Sequence, residues 1–97
     1  MNIIIKKFGD VLTSRQSGKE AYSAFLPTLT KILPDEEIII DFDEINSLSP
    51  SWGDEFLTPI QKQYGDKVAL KNTANLSVAL TISTLEKANN IRFKLVK

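Results

Sequence analysis

Residues 38–56 read IIIDFDEINSLSPSWGDEF: an apolar β-branched run stops at Asp41, and a helix start follows at Pro50. Ile38, Ile39 and Ile40 are too few for a helix and apolar on both sides, which predicts a central strand with both faces covered. Ser49 followed by Pro50 has the order of a helix N-terminus. The Ser hydroxyl accepts an orphan backbone N–H, and Pro takes the first turn, where its missing N–H costs nothing. Ser51 then falls in the first helical turn. Its hydroxyl lies near unpaired amides and the positive end of the helix, so a phosphate added there would be stabilised.

Around this strand and helix the chain alternates the two element types. NIIIKKF at residues 2–8 predicts a strand that reaches a sheet edge near its lysines, and Gly9 with Asp10 a turn. Val11 and Leu12 fit either a very short strand or a loop packed on the core. SGKE at residues 17–20 has the spacing of a capping box, with Ser17 as cap and Glu20 reaching back, and predicts a helix start there. Tyr22, Phe25, Leu26, Leu29, Ile32 and Leu33 follow on one apolar stripe. Pro27 inside that stripe predicts a kink or a break, and Pro34 to Glu37 form the next loop.

The second helix is predicted from Pro50 to about Tyr64, with Trp52, Phe56, Leu57 and Ile60 turned inward, Pro59 inside it, and Gly65 and Asp66 closing it. KVALK at residues 67–71 suits a strand. Asn72 or Thr73 can cap residues 74–88, a segment whose length favours a helix over a strand. Asn89 and Asn90 turn the chain into IRFKLV at residues 91–96, which alternates as a last strand. The order implies one small α/β domain over residues 1–97, with a mixed, mostly parallel sheet of four to five strands and about three covering helices. Ligands and partners of such sheets meet the loops beyond the carboxyl ends of the strands, and residues 41–51 are such a loop.

Composition narrows the chemistry this loop can carry. Twelve basic and twelve acidic residues give a formal net charge of zero, so no global field draws the chain to nucleic acid or an anionic membrane. The absence of Cys and His removes disulfides, thiol nucleophiles, His bases, Ser/His/Asp triads and nearly every zinc site. The isoleucines before Lys6 and Lys7 fall far short of a signal-peptide core or a membrane span, so a cytoplasmic protein is expected. Gly9, Gly18 and Lys19 do not make a phosphate loop: eight residues separate the glycines where the pattern needs four, and Glu20 replaces the Ser or Thr.

Asp41 and Asp43, two residues apart after an apolar strand, resemble the start of a haloacid-dehalogenase-type phosphatase, a magnesium enzyme with a nucleophile and an acid/base at that spacing. Ile45 stands where that family has Thr or Val, and the chain leaves little room for the later lysine and metal ligands. Turn aspartates at a strand end are the plainer reading. Asp35, Glu36, Glu37, Glu44, Asp54 and Glu55 read as scattered surface acids, so no metal and no cofactor is expected.

The early FGDVLTSRQSGKEA together with IIIDFDEINSLSPSWGDEF resembles the STAS-like family of unknown function. That family has a Gly, a Leu and a Ser-Arg pair early, then Asp-Phe-x-x-Val, then Ser-Phe-x-Asp-Glu. Gly9, Leu12, Ser14, Arg15, Gly18, Asp41, Phe42, Ile45, Ser51, Asp54 and Glu55 match it over residues 2 to about 71, with Ile45 for Val, Trp52 for Phe and Gly53 for Ala as departures. The family is similar to STAS domains of bacterial anti-sigma-factor antagonists. Those bind a serine kinase, the anti-sigma factor, of the histidine-kinase ATPase fold and are switched off by phosphorylation at a helix start.

The resemblance thus implies a non-enzymatic regulatory module whose protein partner meets the loop and helix at residues 42–56. In the antagonists' Asp-Ser-Ser-Gly motif the usual acceptor slot falls here on Pro50. Ser51 is the substitute acceptor, with Ser49 and Ser47 behind it; Ser49 as a cap and Ser51 as an ordinary first-turn residue is the alternative. Trp52, Asp54 and Glu55 complete the expected contact surface. Arg15 either holds the loop from Asp41 to Glu44 through a carboxylate or receives an acid or phosphate from the partner. A scaffold or oligomerisation domain without a switch is the remaining alternative, and the sequence leaves the oligomeric state open.

Overall fold

The computed structural model describes residues 1–96. In chain order its elements are β1 (Asn2–Ile4), β2 (Val11–Leu12), α1 (Arg15–Leu29), β3 (Ile38–Asp41), β4 (Ser47–Leu48), α2 (Pro50–Tyr64), β5 (Val68–Lys71), α3 (Leu76–Asn89) and β6 (Lys94–Val96), with 3-10 turns at Ile5–Phe8 and Gly65–Lys67. The main sheet has the order β1-β3-β5-β6 with every neighbour parallel, and β2 pairs with β4 in a separate parallel ladder. Parallel neighbours require crossovers, and the three helices supply them. The molecule is thus a single-domain α/β fold with three helices, one parallel four-stranded sheet and one two-stranded sheet.

Register fixes which side chains share a face. Ile3 lies opposite Ile40, Ile40 opposite Leu70, and Ile38 opposite Val68. These residues are buried with Phe56, Leu57, Ile60, Val78 and Leu85 from the helices in one core. The other face carries Asn2 and Ile4, Ile39 and Asp41, Ala69 and Lys71, Lys94 and Val96. Its exposure is uneven, from Ile4 at 43% to Ala69 at 0%. The expectation that Ile38–Ile40 are covered on both faces is therefore corrected: the strand order never reverses, α1 packs on α2 and α2 on α3, and the helices form one layer on one side.

Several boundaries move for local reasons. The first strand stops at Ile4, because the 3-10 turn at Ile5–Phe8 swings Phe8 into the aromatic cluster of Phe25, Trp52 and Phe56. The first helix begins at Arg15, with Ser14 as its cap, not at the Ser17 box; the Ser14 hydroxyl accepts the Ser17 N–H at 3.0 Å. It runs through Pro27 and ends at Leu29, two residues on, which leaves Leu33 exposed and outside the expected stripe. The second helix spans Pro50–Tyr64 with Ser49 as cap, and the third is capped by Asn75 rather than Asn72 or Thr73. The last strand is confined to Lys94–Val96.

Candidate functional site

The segment that leaves β3 is hydrogen-bonded along its length. Asp41 Oδ1 accepts the Asp43 N–H at 2.9 Å, the Ile45 N–H donates to the Phe42 carbonyl, and Glu44 takes a left-handed φ of 64°. The Asn46 and Ser47 N–H groups both donate to the Asp10 carbonyl, and the Ser49 N–H donates to that of Leu12. From the other side, Asn75 Nδ2 donates to the carbonyls of Ile45 and Asn46, while the Ser77 hydroxyl accepts the Leu48 N–H and donates to the Leu48 carbonyl. Thr81 donates to that carbonyl too. Residues 42–49 thus form a strap held between β2 and α3.

The strap yokes helix starts together. The Ser49 hydroxyl accepts the Trp52 N–H at 3.3 Å and donates to the Thr13 carbonyl at 2.7 Å, so it caps α2 and anchors the residue before the cap of α1. The two first turns touch: a Cβ built on Gly18 would lie 2.6 Å from the Trp52 carbonyl oxygen. Gly18 is there because the backbones approach more closely than any side chain permits.

Arg15 bridges the same two turns. Its Nη1 donates to Glu55 Oε2 at 2.7 Å and to Asp54 Oδ2 at 3.1 Å, and Asn89 Nδ2 donates to Asp54 Oδ1 at 3.1 Å. Three helices meet on one carboxylate. Of the two roles open to Arg15 in the sequence, its carboxylate contact is real but lands on α2, not on the loop from Asp41 to Glu44. Burial pushes the Asp54 carboxyl up, yet the hydrogen bonds from Arg15 and Asn89 outweigh it and hold the group below its ordinary range. Hydrogen bonds to Glu55 and then Asp54 raise the guanidinium in turn.

The expected contact residues separate into two sets. Ser51, Asp54 and Glu55 stand at i, i+3 and i+4, hence on one helix face, and all are partly exposed. Arg15 lies across that face with its side chain 55% exposed. Ser49, by contrast, has its hydroxyl proton committed to Thr13, and Ser47 belongs to β4. Trp52 is the clear correction: with 0% exposure it stacks on Phe56 at 5.0 Å and reaches no partner. Thr13, Gly18, Asn75, Ser77 and Asn89 carry positions in this site that the sequence reading did not assign to it.

Asp41 and Asp43 border a polar hollow of about 300 Å³ with Lys71, Asn72 and Thr73. Asp41 is engaged by the Asp43 N–H and by Lys71 at 3.6 Å. Among the described residues no three acids converge as metal ligands, and no helix is long and apolar enough to cross a membrane.

A parallel sheet with a helix-start surface beyond its strand ends, joined by an Arg-carboxylate bridge, defines a small STAS-like α/β domain. The chain belongs to the family described as STAS-like domain of unknown function (DUF4325), whose model matches residues 17–78, from the first turn of α1 to the first turn of α3. Gly18, Asp54 and Glu55 lie inside that span, while Ser14 and Arg15 lie just before it. No curated protein and no solved structure matches the chain.

Proposed function

We propose that this STAS-like domain is a non-enzymatic cytoplasmic regulator that binds a protein partner through the joined first turns of α1 and α2, with Ser51 as a phosphorylation switch. The observation that carries the reading is the arrangement around Ser51. Its partly exposed side chain shares a helix face with the two carboxylates that Arg15 bridges. A phosphate on Ser51 adds about −2 charge one turn from Asp54 and Glu55, beside backbone amides that favour it. It competes with those carboxylates for Arg15, whose fork suits phosphate as well as carboxylate. The modification therefore rewrites the charge pattern of the surface while the buried side of α2 stays as it is. The resemblance to anti-sigma-factor antagonists makes a serine kinase of the histidine-kinase ATPase fold the partner class.

The test is mass spectrometry of the protein isolated from its own cells, with binding of such a kinase, taken from a neighbouring gene, to wild type, Ser51→Ala and Ser51→Asp. Phosphate on Ser51, normal binding by Ser51→Ala and weakened binding by Ser51→Asp are expected. Equal binding by all three with no phosphate found removes the switch, and no binding by any removes the partner class.

A further inference from the structure

All-parallel sheets occur almost only with both faces covered, because their crossovers lay helices on the faces. Here no helix of the described chain packs on the face that carries Ile4, Ile39, Ala69 and Val96. The same face carries Asp41 paired with Lys71 at 3.6 Å and Glu37 paired with Lys94 at 3.8 Å. Its acids sit on or just before β3, and its lysines on or beside β5 and β6. That distribution decides what can cover it.

We propose that a second copy of this chain covers the open face, related by a two-fold axis that runs parallel to the strands between β3 and β5. Such an axis sets β3 over β5 of the second copy and β1 over β6, with every residue kept at its own height. The register then dictates the facing pairs. Asp41, level with Lys71, meets Lys71 of the other copy, and Ile4, level with Asp41, meets Val96, which is level with Lys71. Ile39 lies over Ala69, the smallest side chain of the face and already fully buried within its own chain, and Asn2 meets Lys94. Every row is apolar on apolar, opposite in charge, or an amide on an ammonium, and no row sets like charges together. Asp41 and Lys71 from both copies make an alternating square.

Stacked sheets lie about 10 Å apart and rotate by about 30° through their twist. The rows beside the axis, Asp41 on Lys71 and Ile39 on Ala69, keep their register, while the outer rows shift. Four strands about 4.8 Å apart and three to four residues long make a small face, so the pairing belongs to the weak, concentration-dependent class. The Arg15 and Ser51 surface lies outside this face, so the pairing stands or falls independently of the function proposed above.

Sedimentation of the full chain up to millimolar concentration tests it, with circular dichroism to verify folding. Wild type is expected to dimerise. Asp41→Lys alone sets lysine on lysine and Lys71→Asp alone sets aspartate on aspartate, and each is expected to weaken dimerisation about tenfold or more. An equimolar mixture of the two restores opposite charge in both rows and is expected to form the heterodimer. The double variant Asp41→Lys/Lys71→Asp keeps the pair within the chain and the rows between chains, and is expected to dimerise like wild type even where a single variant fails to fold. A monomeric wild type, unweakened single variants, a mixture that does not associate, or a monomeric double variant would each overturn the proposal.

Discussion

Ser49 carries two hydrogen bonds on one hydroxyl, and its removal should be felt at both ends. Ser49→Ala loses the α2 cap and the anchor on Thr13, and is expected to cost about 1–2 kcal/mol in urea unfolding. A cost near zero would detach the two helix starts from each other. Trp52 sets a different balance, because its Nε1 is buried without a protein partner. Trp52→Ala is expected to cost about 3–5 kcal/mol. Trp52→Phe, the residue of the family pattern, keeps a ring on Phe56 and removes the unpaired donor, so it should cost about 1 kcal/mol or less. Arg15 is legible through pH. The folded Asp54 carboxyl is held below its unfolded value, so its contribution is complete above the unfolded value and is lost as pH falls through the folded one. Denaturation followed from neutral pH down through the carboxylate range should therefore show a shallower loss for Arg15→Met than for wild type. Glu36, lowered by the Met1 amino group and the Leu33 N–H, supplies slope that the variant retains.

Between α1 and α2 the backbones come together at Gly18 and Trp52. Gly18→Ala pushes a methyl to 2.6 Å from a carbonyl oxygen that cannot swing aside, and is expected to destabilise by about 1–3 kcal/mol in thermal or urea unfolding despite alanine's better helix propensity. A gain in stability would mean that the helices are free to part. In the sequence Gly18 falls inside the SGKE box at residues 17–20, where nothing local distinguishes a glycine needed for a close approach from one tolerated at a helix start. Helix α2 was readable to both ends, since Ser49-Pro50 and Gly65 are signals that depend on a single residue's own backbone. The cap of helix α1 was misplaced by three residues because Ser14 and Ser17 both offer a hydroxyl, and the bond from Ser49 to Thr13, distant in sequence, decides between them. Strand β4 is two residues long and has no period to detect. The acid residues of the site, Asp54 and Glu55, were identified from the family pattern, but Asn89, the α3 partner of Asp54, lies 35 positions away from it and carries no local mark.

At the scale of the molecule, the triple isoleucine run predicts a strand covered on both faces, but three apolar residues do not say whether both covers come from the same chain. The order β1-β3-β5-β6 resolves it. Hydrogen exchange should rank the sheet accordingly, with the slowest amides in the central strands, at Ile38–Ile40 and Val68–Leu70, and faster exchange at β1 and β6. Equal protection across all four strands of the monomer would contradict that ranking. The same measurement should find Asn46, Ser47 and Ser49 protected, since their amides are bonded to Asp10 and Leu12. That strap has a kinetic corollary. A partner arriving at Arg15 and Ser51 meets a surface whose backbone is already fixed, so little chain entropy is left to lose on docking. Arrival is then governed by encounter and orientation, at about 10⁵–10⁷ M⁻¹s⁻¹ for an unsteered pair, and competing partners are told apart by how long they stay.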